Sequence, residues 1–201
     1  MPRIWNPDGF ATPTALPVAS AAGSGRLARF VTASLARELG VLLCLSVMFP
    51  FMVHILPVPG EAQVGPRLLP RFYAPLLATL WGRLGTAVTV TLLAPVLNWA
   101  LTGHPAPAGI VVMTVQLAGF SLALRGLLAG VGAHCLLAAA AYFVGLALAA
   151  LLASLIPSLI GGQAALSWAV NSAVTGLPGI AIFVLISWLA LRHYPPGAAA
   201  A

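Results

Sequence analysis

Arginine, asparagine, histidine and tryptophan are interspersed with prolines in the otherwise apolar stretch from Pro66 to Pro107. Polar side chains are costly to keep in hydrocarbon surroundings, so those that occur there commonly bind something. Two of them, Arg67 and Arg71, carry guanidinium groups, which favour a carboxylate or phosphate partner held by paired hydrogen bonds. The stretch therefore predicts a binding site for a small anionic solute.

Further polar and aromatic side chains are expected at the same depth in the membrane, near the outer ends of the apolar spans. Together with the two arginines they form the predicted solute site: Tyr73, Asn98, His104, Gln116, Trp168 and Asn171. Apolar walls with a few polar anchors are typical of a small-molecule pocket. The sequence thus places one site at the outer ends of several helices.

Each of these residues also has a simpler interpretation, which the sequence leaves open. Arg67 and Arg71 can extend to outer lipid headgroups, and Trp168 can belong to an interfacial aromatic belt. The three amide side chains can form hydrogen bonds between helices. His104, between a glycine and a proline, can be an ordinary turn residue.

The composition indicates an integral membrane protein. Hydrophobic residues make up 61% of the chain and charged residues 6%, against about 25% charged residues in soluble domains. The formal charge of +6 comes from arginines that lie singly between apolar stretches. Such spacing is typical of topology determinants, and it argues against nucleic-acid binding.

The chain contains no lysine, which excludes two kinds of chemistry. A phosphate-binding loop needs its lysine, and so does a Schiff base. Uptake driven by nucleotide hydrolysis would therefore require a second protein. Cys44 and Cys135 fall in apolar spans without metal-ligand spacing, and neither a cofactor nor a metal is expected.

Turn signals divide the apolar sequence into six predicted transmembrane spans in an all-α bundle. They are Glu38–Leu56, Leu69–Gly82, Leu84–Leu101, Gly109–Leu128, Val131–Ile156 and Ala164–Leu191. The second is short and contains Pro75, so its support could come from neighbouring helices instead of lipid. The domain prediction is a flexible tail over 1–37, compatible with an interfacial helix from about Leu27, a six-helix solute-binding domain over 38–192, and a C-terminal tail over 193–201.

The arginine distribution predicts that both termini are cytoplasmic. With that orientation the inner side carries Arg3, Arg26, Arg29, Arg37, Arg83, Arg125 and Arg192. The outer side carries only Arg67 and Arg71, which is why these two need a separate explanation. The predicted location is the cell membrane, plasma or inner, with multiple passes through the lipid.

Ala36 and Gly40 lie four residues apart at the start of the first span. Small residues at this spacing allow two helices to approach closely. The partner helix can belong to the same chain or to another membrane protein.

Five segments in order resemble the substrate-binding S component of energy-coupling factor transporters. They are FPFMVHILP, LPRFYAPLLATLWG, APVLNWALTGHP, VVMTVQLAGFSLALRGLL and GLPGIAIFVLISWL, within Leu39 to Trp188. The resemblance implies a six-helix subunit that captures a vitamin-like solute from outside. It implies three partners, a coupling transmembrane subunit that docks on Ala36 and Gly40 and two ATPase subunits.

The chain also departs from the pattern of that family. Arg71 and Phe72 stand where relatives often carry Met-His, Gln116 stands where a glutamate is frequent, and Phe183 and aliphatic residues replace polar residues of the last span. For this reason the identity of the solute is not carried over.

Two other classes of function remain as alternatives. An intramembrane serine protease would use Ser121 as nucleophile and His193 as base, although no oxyanion-hole motif is visible. A non-catalytic membrane assembly factor would use the small-residue faces. The leading expectation is a transport subunit without enzymatic activity.

Overall fold

A computed structural model of the chain describes residues 21–55, 64–81 and 84–193, with side chains over 34–53, 66–81 and 84–193. These residues form helices and turns, with no strand among them. The predicted tails over 1–37 and 193–201 lie largely outside the described residues. The chain divides into two compact units, Met1–Ser34 and Leu35–Ala201. Within the first unit, the described residues belong to a helix that begins at Ala21.

The described part of the chain contains eight α-helices and two 3₁₀ turns. The α-helices are α1 Ala21–Ile55, α2 Val64–Leu68, α3 Tyr73–Trp81, α4 Leu84–Thr102, α5 Pro107–Val131, α6 Leu137–Leu155, α7 Ala165–Thr175 and α8 Leu177–His193. The 3₁₀ turns are Pro70–Phe72 and Pro157–Ile160. Helix ends follow the glycines and prolines of the sequence, because these residues cannot continue a helix at low cost.

Four described helices are long and apolar enough to cross a membrane, and a bent pair brings the number to five. The four lie in α1, α4, α5 and α6, and the bent pair joins Pro157–Thr175 to α8 at an angle of 57°. The chain is thus an all-α protein of multi-pass membrane type. The predicted sixth span from Ala164 to Leu191 is broken at Gly176, which follows α7 directly.

The predicted second span is the one that does not reach full length. The 3₁₀ turn Pro70–Phe72 and the nine-residue α3 together extend over about 20 Å, at rises of about 2.0 and 1.5 Å per residue. A bilayer core is about 30 Å thick. The short segment is instead buried by neighbouring helices, and Phe72, Ala74 and Leu76 are fully inaccessible to solvent.

Helices α5 and α6 pack with their backbones in direct contact. A Cβ atom at Gly145 would overlap the carbonyl oxygen of Gln116 and would lie 2.9 Å from the backbone nitrogen of Phe120. A Cβ atom at Gly119 would lie 3.0 Å from the Cα atom of Gly145. Glycine at both positions therefore allows the close approach that stabilises helix pairs in lipid, where no hydrophobic driving force brings helices together.

Two of the motifs noted in the sequence contact each other in space. Leu69 adopts the left-handed conformation, with φ 51°, between α2 and the 3₁₀ turn. Gly179 at the start of α8 faces this bend, because an added Cβ would lie 2.8 Å from the carbonyl oxygen of Leu68. Gly176 approaches the same bend, because an added Cβ would lie 3.0 Å from the Cδ1 atom of Leu69. The Gly-Leu-Pro-Gly stretch of the last span thus packs against the Leu-Pro-Arg-Phe segment that carries Arg71.

An aromatic cluster fills the centre of the described bundle. Phe72 lies in the middle, with ring centroids 5.3 Å from Phe120, 5.3 Å from Tyr142 and 5.6 Å from Phe183. The edge-on and tilted geometries are those that aromatic rings prefer. The cluster joins the 3₁₀ turn to α5, α6 and α8, and it fixes the position of the neighbouring Arg71.

Candidate functional site

Arg71 is a partly buried cation without an anionic partner in the described chain. Its Nη1 atom lies 3.5 Å from the Met113 sulfur, and its guanidinium carbon lies 5.7 Å from the centroid of the Phe72 ring. Both contacts are with neutral groups. Glu38 on α1 is the one acidic residue among those described, and it forms no ion pair with Arg71. A guanidinium in such surroundings has unused capacity to bind an anion.

Gln116 offers a second unused donor on the helix that Arg71 contacts. Its side chain is 2% exposed, and its Nε2 atom has no hydrogen-bond partner among the described residues. Gln116 follows Met113 by three residues on α5, so the two side chains share one helix face, about one turn apart. A buried donor without an acceptor is costly. The Arg71 guanidinium, which contacts Met113, and the Gln116 amide, one turn further along α5, are the core of the candidate site.

Tyr73, a predicted site residue, belongs to the hydrophobic core that contains the aromatic cluster, and Trp168, another one, packs against this core. The Tyr73 hydroxyl donates a hydrogen bond to the carbonyl of Leu68, and its ring lies edge-on to Phe49 at 5.3 Å and to Phe183 at 5.7 Å. Trp168 on α7 is partly buried against the hydrophobic core. Both side chains therefore take part in core packing.

Asn98 links two helices. Its Nδ2 atom donates hydrogen bonds to the carbonyl of Ser46 on α1, at 3.1 Å, and to the carbonyl of Ala94 within α4, at 2.9 Å. Because both amide hydrogens are engaged, only the side-chain oxygen is left for a solute. This arrangement agrees with the interpretation of Asn98 as an interhelical hydrogen-bonding residue.

The other three predicted site residues lie on the exterior of the described chain. Arg67 on α2, His104 in the loop after α4 and Asn171 on α7 are exposed. The backbone nitrogen of His104 donates a hydrogen bond to the Thr102 hydroxyl at 3.2 Å, within the turn. None of the three has a hydrogen bond to Arg71 or Gln116 in the residues that are described. The structure thus separates the predicted residues into five that are buried or partly buried and three that are exposed.

The predicted docking residues Ala36 and Gly40 are both exposed on α1. A Cβ atom added at Gly40 would meet nothing within 4 Å. The rest of the described chain therefore leaves this small-residue face uncovered.

The residues that would make a serine protease are not assembled in the described structure. The Ser121 hydroxyl is buried and lies 3.1 Å from the Thr91 hydroxyl. The histidines with described side chains, His104, His134 and His193, are exposed, and none contacts Ser121 through a hydrogen bond. The described residues also contain no group of three or more potential metal ligands.

Sequence reasoning missed Tyr142 and Met113 as neighbours of the site. Tyr142 is fully buried in the aromatic cluster, and its hydroxyl donates to the carbonyl of Ser172 on α7 at 3.3 Å. It is the single tyrosine of α6, in a helix made mostly of alanine and leucine. A lone hydroxyl in such an apolar helix is the one sequence feature that could have marked this residue. Met113 carries no polar signal, so its contact with Arg71 could not be inferred.

Comparison with protein-family models, characterised proteins and solved structures finds no match to this chain. The function of this chain is therefore inferred from the geometry of the site and from the resemblance of the five segments.

Proposed function

We propose that this protein is the solute-binding membrane subunit of an energy-coupling factor type transporter, and that it captures a small anionic, vitamin-like compound at the outer face of the cell membrane. The carrying observation concerns two donors near Met113. Arg71 contacts the Met113 sulfur on α5, and Gln116, three residues further along α5, has a buried amide nitrogen without a hydrogen-bond partner in the described chain. A carboxylate or phosphate would supply the missing acceptors.

The role proposed for the site is binding and not catalysis. A carboxylate would pair with the guanidinium of Arg71 and accept a hydrogen bond from the amide of Gln116. The aromatic side chains beside them would contact the apolar part of the solute. This arrangement resembles the usual division of a ligand pocket into apolar walls and a few polar anchors.

The proposal includes the predicted topology, with both termini cytoplasmic. The short segment Pro70–Trp81 would count as a sixth membrane-inserted element supported by neighbouring helices. Arg71 would then lie toward the outer side. The lysine-free sequence agrees with a subunit that relies on two partner ATPases, and the uncovered face at Ala36 and Gly40 is the proposed contact with the coupling subunit.

Matched pairs of acidic and neutral compounds test the proposal on the purified protein in lipid nanodiscs. Suitable pairs are nicotinate and nicotinamide, biotin and biotin amide, and pantothenate and panthenol. The temperature of thermal unfolding should rise with at least one acid and not with its neutral partner. The reason is that a ligand at 100 times its Kd stabilises the folded state by about 2.7 kcal/mol. Mass spectrometry of small molecules extracted from the purified protein extends the search. A retained neutral or cationic compound would contradict the anionic site.

Replacing Gln116 by glutamate should weaken the binding of an acidic solute. The new carboxylate would lie near Arg71, pair with its guanidinium and repel an incoming anion. We expect at least a tenfold loss of affinity for the acid that stabilises the parent, with little loss of thermal stability. Gln116→Met removes the donor without adding charge, so it should cause a smaller loss. Equal affinities in the parent and Gln116→Glu would remove Gln116 from the site.

A further inference from the structure

A groove of about 520 Å³ lies between the end of α3 and the last turns of α8. Among the described residues, its lining is apolar except at one position: Trp81, Ile186, Leu189, Ala190 and His193. The four residues from α8 follow a spacing of three, one and three, which places them on one helix face. The groove is separate from the residues around Arg71.

The end of the groove carries a positive charge that its own helices do not neutralise. Arg192 precedes His193 in the last turn of α8, and its guanidinium carbon lies 5.1 Å from the centroid of the Trp188 ring. Arg192 is exposed, and neither α3 nor α8 contains an acidic residue. The apolar groove thus ends beside an exposed cation that lies over an aromatic ring.

We propose that this groove is a binding site for an anionic phospholipid. The phosphate of the headgroup would bind Arg192 and His193, and part of one acyl chain would lie along Ile186, Leu189 and Trp81. Charge complementarity selects this occupant, because basic residues beside grooves between membrane helices bind anionic headgroups. A second copy of the chain is a poorer fit, since a symmetric contact would bring two Arg192 side chains together. The proposal does not depend on the transport function.

Tryptophan quenching by brominated lipids tests the site in the full-length protein. The protein is reconstituted in nanodiscs of phosphatidylcholine that contain increasing fractions of dibrominated phosphatidylglycerol. A second series has the same lipid fractions, but the phosphatidylcholine carries the bromine label instead of the phosphatidylglycerol. The difference between the parent and Trp81→Phe isolates the signal of Trp81. We expect phosphatidylglycerol to be favoured about fivefold at Trp81, as one basic residue near a headgroup predicts.

The charge at Arg192 is tested by Arg192→Gln, with Arg125→Gln as the matched control. Arg125 is also an exposed arginine, but it lies on α5 and does not line the groove. Loss of the preference in Arg192→Gln and its retention in Arg125→Gln would support the proposal. Equal quenching by both brominated lipids in the parent, no quenching of Trp81 by either, or an unchanged preference in Arg192→Gln would overturn it.

Discussion

Replacing Arg71 by alanine should abolish high-affinity solute binding while the protein still folds. Truncating one member of a buried charged hydrogen-bonded pair commonly costs about 2–5 kcal/mol, so we expect the Kd for the stabilising acid to rise at least about 30-fold. Folding should persist because the partners of Arg71 within the described chain are neutral, so no carboxylate there loses its counter-ion. Isothermal titration with the acid found in the matched-pair screen measures the change.

Two further variants separate the site charge from general effects. Arg71→Lys keeps the charge but loses the planar paired donors, so its affinity should lie between those of the parent and Arg71→Ala. Arg125→Ala removes an exposed arginine of α5 and should leave the Kd within about twofold of the parent. If Arg71→Ala binds the acid as tightly as the parent does, the proposed anion site is wrong.

The second large effect is expected from Gly145→Ala. The new methyl group would overlap the carbonyl oxygen of Gln116 and press on the backbone of Phe120, and backbone atoms cannot move aside as a flexible side chain can. Overpacking of this kind typically costs about 1–3 kcal/mol. The free energy of unfolding, measured by titration with a denaturing detergent, should therefore fall by that amount. Because Gln116 lies at the contact, solute affinity should fall as well.

Gly126→Ala and Gly130→Ala provide the matched controls. Both glycines lie in α5, and a Cβ atom at either would meet nothing within 4 Å. Alanine is the better helix former by about 1 kcal/mol, so these variants should be as stable as the parent or more stable. A Gly145→Ala protein with the stability of these controls would show that α5 and α6 do not need their close contact.

Two of the five segments contact each other in the structure. Gly176 and Gly179 of the last segment face the bend at Leu68 and Leu69, directly before Arg71. Two short apolar motifs, more than 100 residues apart in sequence, are therefore in contact beside the arginine.

The sequence by itself determined the class of protein and most of the helices. Apolar runs of membrane-spanning length, separated by proline and glycine, predict helices under α1, α4, α5 and α6, because in lipid the backbone must satisfy its own hydrogen bonds. The break in the last span was visible as Gly-Leu-Pro-Gly. The count of six spans stays a prediction, since the four or five candidate helices do not include the short segment before Trp81.

Only the tertiary structure decided which of the polar residues are buried and which of the buried ones lack a hydrogen-bond partner. Arg67 and Arg71 are four residues apart and look alike in sequence, yet one is exposed and the other packs against Met113 and Phe72. Asn98 and Gln116 are both amides in apolar spans, but only the amide of Asn98 finds backbone carbonyls to bind. The reason is physical: the partners of a buried side chain come from helices that are distant in sequence, whereas apolar periodicity and helix-breaking residues act locally.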